Sequence, residues 1–75
     1  MKEFKWYAVL RDEQDDDLGE GSFNYDEAVN IASKYDSEHA RIAVVSGWAD
    51  SEEDAATNGL RDTEVKQVIP LKEEE

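Results

Sequence analysis

The chain has no cysteine, one proline, one histidine and only 8 basic residues against 20 acidic ones. Without cysteine there is neither a disulfide framework nor a thiolate metal cluster to stabilise a fold. With His39 as the single histidine, zinc sites and cysteine–histidine catalysis are excluded too. A set of Ser37, His39 and one of the many acids can be assembled on paper, but nothing supplies an oxyanion hole or a nucleophile elbow. No stretch approaches the roughly 20 apolar residues that cross a bilayer. The opening "MKEFKWYAVL" holds neither an apolar run of signal-peptide length nor a small-residue cleavage site. The expectation is a soluble cytoplasmic protein, non-catalytic, without cofactor and without membrane contact.

What is present suffices for one small domain. The 75 residues, 39% of them aliphatic or aromatic, fill one core and leave little for a deep catalytic cavity. The net charge is −12 and unevenly spread: +2 over residues 1–11, −8 over 12–27 and −4 over 49–62. Such a field repels nucleic acids and anionic membranes, whose binding relies on Lys and Arg. It attracts basic protein surfaces, and it also keeps a small protein soluble.

Periodicity divides residues 1–71 into one α+β domain, followed by a solvated acidic tail over 72–75. "FKWYAVL" (4–10) alternates large apolar residues with others at period two, as a strand does. Residues 11–22 are too charged for anything but a loop, with a short extended piece over 20–23. Asn24 then caps a helix, with Glu27 three residues on as in a capping box. Ala28, Ile31, Ala32 and Tyr35 form its buried stripe, and the helix is expected to end around Asp36–Ser37. "RIAVVSG" (41–47) reads as the central strand, buried on both faces. Residues 48–59 read as a loop holding a one- to two-turn helix, capped by Asp50 or Ser51 and ended by Asn58-Gly59. "TEVKQVIPL" (63–71) is an edge strand, since Pro70 lacks a donor and Glu64 and Lys66 are charged.

The β-α-β-β order predicts a three-stranded mixed sheet, with the main helix on one face and a right-handed crossover joining the first two strands. Ile42 and Val44 should point at the helix with Trp6 and Ile31. Tyr7, Val9, Ala43, Val45 and Val68 should line the other face, which is too apolar to stand bare in water. The expected cover is the 47–62 segment, through Trp48 or Leu60, or a second copy of the chain in a homodimer.

The acidic stretch "DEQDDDLGEGSFNYDE" (12–27) can be set against a calcium loop. Asp16, Glu20, Asn24 and Glu27 then fall at ligand positions, but Leu18 occupies a position that needs a side-chain oxygen. Helix capping already accounts for Asn24 and Glu27, so metal binding is a remote alternative. "GEGS" (19–22) resembles a phosphate cradle, yet its flanking carboxylates would repel phosphate, and Gly19 and Gly21 serve the turn.

The run "WYAVLRD…DDDLGEGSFNYDEAVNIA", over residues 6–32, resembles small proteins of Gram-positive gut bacteria and their mobile elements. That resemblance implies no activity, and a mobile-element origin favours a regulator or a counter-defence protein. The leading reading is a small acidic interaction or regulatory module with a protein partner of basic surface and no direct nucleic-acid binding. The alternative is an acidic nucleic-acid mimic that blocks a basic groove. Candidate partner-binding residues are Asp15, Asp16, Asp17, Glu52 and Glu53 for charge, and Tyr7, Val45 and Trp48 for apolar contact.

Overall fold

Strand β1 (Lys2–Leu10) forms where the period-two pattern places it, in a computed structural model that describes residues 1–12, 14, 18–35 and 39–71. The chain then turns back into a two-residue strand β2 (Gly21–Ser22), enters helix α1 (Tyr25–Ser33), and returns as β3 (Arg41–Ala49). A short helix α2 (Glu52–Asn58) and the edge strand β4 (Arg61–Pro70) complete it. The sheet order is β2-β1-β3-β4, and every pair is antiparallel.

The α+β class, the main helix, the short second helix, the central position of β3 and the edge position of β4 agree with the sequence reading. The three-stranded mixed sheet is corrected to four antiparallel strands. The reason is a reversal inside the acidic loop. Val9 N–H donates to Glu20 O at 2.8 Å, and β2 pairs back onto Tyr7 and Ala8. Helix α1 then reverses the chain again, so β3 begins beside Leu10 and runs against β1. Gly21 permits this close return: at φ 154°, its missing Cβ would lie 2.1 Å from Tyr7 O.

Antiparallel pairing also corrects the faces. Residues directly opposite share a face, and Val9 sits opposite Ile42, Tyr7 opposite Val44. Val9, Ile42, Ala28 and Ala32 make the core under α1, with Tyr7, Ile31 and Tyr35 against it. Trp6, Ala8, Leu10, Ala43 and Val45 make the core of the opposite face. Ile42 thus points at the helix as expected, whereas Trp6 exchanges places with Tyr7 and Val9. Both faces of β1 are apolar, so alternation alone leaves its phase undecided.

Asn24 caps α1 as expected, accepting from the Asp26 and Glu27 backbone N–H groups at 2.8 and 3.2 Å. The expected reciprocal arm is relayed. Ser22 Oγ accepts from Asn24 N–H and donates to the Glu27 carboxylate at 2.6 Å. The helix stops at Ser33, short of the expected end, where Ser33 Oγ turns onto Asn30 O. At nine residues α1 is about 13.5 Å long, against about 30 Å for the nine residues of β1. The sheet therefore overhangs its helix, and the molecule measures 41 × 20 × 19 Å.

Candidate functional site

The face opposite α1 carries a groove of about 320 Å³. Its floor is Val45, 1% exposed at the centre of the sheet, and Trp6 beside it on β1. One wall comes from the acidic loop. The Trp6 indole N–H donates to Leu18 O at 2.8 Å, fixing both the ring and the loop. Phe23 meets the Trp6 ring edge-on, with centroids 4.8 Å apart at 75°, and remains 40% exposed.

The other wall is α2 and its exit. Ser51 caps α2 by accepting from the Asp54 N–H at 3.1 Å. Asp54 accepts from the Asn58 amide at 2.8 Å and from the Asp50 N–H at 3.1 Å, and lies 4.0 Å from the Arg61 guanidinium. The Asn58 amide first, then the Asp50 N–H and lastly Arg61, hold the Asp54 carboxyl below its ordinary range against an opposing desolvation. This network fastens α2 to the start of β4. Gly59, at φ 80°, ends the helix, and Leu60 then crosses directly over Gly47. A Cβ on Gly47 would lie 2.5 Å from Leu60 Cβ, so only glycine lets this connection lie flat on β3. Ala55, Ala56, Leu60 and Thr63 thereby come to face Leu18 and Trp6 across the groove.

Ala55, Ala56 and Gly59 lie at positions i+3, i+4 and i+7 from Glu52, so one stripe of α2 runs from the groove to that exposed carboxylate. Among the described residues no ionisable side chain lines the groove. The apolar surface continues onto β4, where Val65 pairs with Val45 and Val68 with Ala43. Those two valines are 46% and 44% exposed.

The residues singled out from sequence are not gathered at one place. Val45 lies under the groove, Glu52 stands at its end, and Glu53 is exposed on the same helix turn. Tyr7 lies on the α1 face, edge-on to Tyr25 at 5.6 Å. Trp48 belongs to β3 and not to a loop. Alternation from Ile42 puts it on the α1 side, beyond the helix and 41% exposed. The side chains packed against the Val45 cluster are Trp6 and Leu18, while Ala55 and Leu60 of the expected 47–62 cover line the same groove and Trp48 takes no part. Asp15, Asp16 and Asp17 lie outside the described residues. Of the calcium candidates, Glu20 accepts from the Tyr35 hydroxyl, Glu27 from Ser22, and Asn24 caps α1. Among the described residues, no group of three or more His, Asp or Glu side chains could hold a metal ion.

Leu18, Trp6 and Phe23 were not among the candidates. Leu18 carries a signal in hindsight, as the single large apolar residue between Asp12 and Ser22. Trp6 and Phe23 read as ordinary core. Among the described residues no helix is long and apolar enough to cross a membrane. Comparison with protein-family models, curated proteins and solved structures finds no match.

Proposed function

We propose that this chain is a non-catalytic protein-interaction module that receives its partner on the sheet face opposite α1. The observation that carries this is a groove with no ionisable side chain among its described residues, continuous with two half-bare valines, in a chain of net charge −12. Exposed apolar surface beside a concave site is what a partner covers. The absence of ionisable side chains from the groove's described lining supports a binding role over acid–base chemistry. An acidic mimic of nucleic acid would meet its target through carboxylates and leave this face idle. Affinity capture from the cell of origin, with the wild-type chain and with Val65→Lys/Val68→Lys, tests the proposal. A partner held by wild type and lost by the double variant is the expected result. A partner retained by the double variant, and released instead by salt, would favour the mimic.

A further inference from the structure

We propose that Asn58-Gly59, at the exit of α2, is a modification site, where the asparagine amide is converted to aspartate and isoaspartate whenever the last turn of α2 opens. An asparagine followed by glycine is chemically unstable. The backbone nitrogen after it can attack the side-chain amide, and glycine has no side chain to hinder the approach. The other asparagines, Asn24 and Asn30, precede Tyr25 and Ile31. Asn58 and Gly59 are both exposed. Among the described residues, chain neighbours aside, nothing lies within 4 Å of where a Gly59 Cβ would stand. Water therefore reaches this peptide bond freely. The reaction acts on the chain itself and does not depend on what the groove receives.

Water is the only co-reactant. The Gly59 nitrogen gives its proton to solvent base and attacks Asn58 Cγ. The new N–Cγ bond closes a succinimide ring, the Cγ–Nδ2 bond breaks, and that nitrogen leaves as ammonia. Water then adds to either ring carbonyl. Opening at Cγ breaks the new bond and gives aspartate. Opening at the Asn58 backbone carbonyl breaks the original peptide bond and gives isoaspartate, whose chain runs on through Cγ. The chain takes up water and loses ammonia, with no change of oxidation state.

A closed α2 occupies both reacting groups. Gly59 N–H donates to Ala55 O at 3.0 Å, so the attacking nitrogen is committed to the helix. Asn58 Nδ2 donates to Asp54 Oδ1 at 2.8 Å, so the amide is held along the helix side. Asp54 is itself fixed by the Asp50 N–H and by Arg61. Attack waits for the last turn to fray, which costs little at the end of a seven-residue helix. The product cannot close the turn in the same way. A carboxylate replaces the donor beside Asp54, and like charges four residues apart on a helix repel. Isoaspartate also adds a main-chain carbon just before Leu60 crosses closely over Gly47.

The test incubates the full chain at mildly alkaline pH and follows all asparagines by peptide mapping with mass spectrometry, separating aspartate from isoaspartate by retention. Asn58 should convert while Asn24 and Asn30 keep their amides. The urea-unfolded chain should convert Asn58 about tenfold faster than the folded one, because the closed turn keeps the reactive form scarce. Asp54→Asn should also convert Asn58 faster than wild type does. In wild type and variant alike the rate should follow solvent exchange of the Gly59 N–H, a readout that survives partial unfolding of the variant. Asn58→Asp, which encodes one product, should melt about 4–8 °C below wild type, as for the loss of a single hydrogen bond. An Asn58 that stays intact in the unfolded chain, or an Asn24 or Asn30 that converts as fast in the folded one, would overturn the site. Equal rates in folded and unfolded chains would overturn its control by α2. A rate in Asp54→Asn no faster than in wild type, with Gly59 exchange accelerated, would overturn the part given to Asp54.

Discussion

Replacing Gly47 by alanine adds one methyl carbon at a crowded point of the sheet. Its Cβ would lie 2.5 Å from Leu60 Cβ, 3.0 Å from Thr63 Cγ2 and 3.2 Å from Arg61 O. The first distance is far inside carbon–carbon contact at about 3.5–4.0 Å, and its partner cannot swing away, because a Cβ moves only with its backbone. The β3–β4 connection must therefore shift, at the about 1–3 kcal/mol typical of overpacking. A chain of this length has roughly 4–11 kcal/mol of total stability, so the loss is large. It should lower the melting midpoint by about 5–20 °C, measured by circular dichroism. The contact also makes a sharper claim. Leu60→Ala keeps the offending carbon and should not relieve the clash, whereas Leu60→Gly removes it. The cost of Gly47→Ala should therefore shrink only in the Leu60→Gly background, leaving the milder contact with Thr63. An equal cost in both backgrounds, or no cost in the wild type, would refute the packing of Leu60 over Gly47.

Asn24→Ala should cost about 1 kcal/mol, because the Asp26 and Glu27 N–H groups lose their shared acceptor; an unmoved urea midpoint would contradict the cap. Val45→Asp should unfold the chain, since an unpaired charge against Trp6 and Leu18 costs about 3–5 kcal/mol. A folded variant with an unchanged melt would show the face assignment to be wrong. Asp54 has a lowered folded pKa, so its contribution to stability is complete above the ordinary value of 3.8 and is lost as pH falls through the lower folded value. Wild type should therefore melt higher than Asp54→Asn near neutrality, and the gap should close below pH 3.8; a gap that widens in acid would reverse the sign of the argument.

The helices and the central strand were legible because local chemistry specifies them. Asn24 and Ser51 cap, Gly59 terminates, and the apolar run at 42–45 can only be central. Strand direction was not, because β2 is two residues long and is held by pairing with Tyr7 and Ala8 and not by any pattern of its own. Trp48 was misplaced for a related reason. Gly47 reads as the end of a strand, whereas it is the point where Leu60 crosses a strand that continues to Ala49. The groove depends on that long-range crossing, so its walls could not be read from spacing. Its floor residue Val45 could.

The overhang of the sheet beyond α1 divides the molecule into two halves with different support. Around Val9 and Ile42 the sheet has helix on one side and the Leu10–Ala43 cluster on the other. Around Trp48 and Gly47 no described helix backs the α1 side, where Trp48 is 41% exposed, and the other side is backed by the seven residues of α2 and by Leu60. Amide protons of β3 should therefore exchange with solvent in an ordered gradient, slowest near Ile42 and fastest toward Ala49, because local opening costs least where fewest apolar contacts must be broken. The groove lies between a loop wall tied to the sheet by the Trp6–Leu18 hydrogen bond and a wall carried by α2. One wall of the groove is thus held by a seven-residue helix and one carboxylate network.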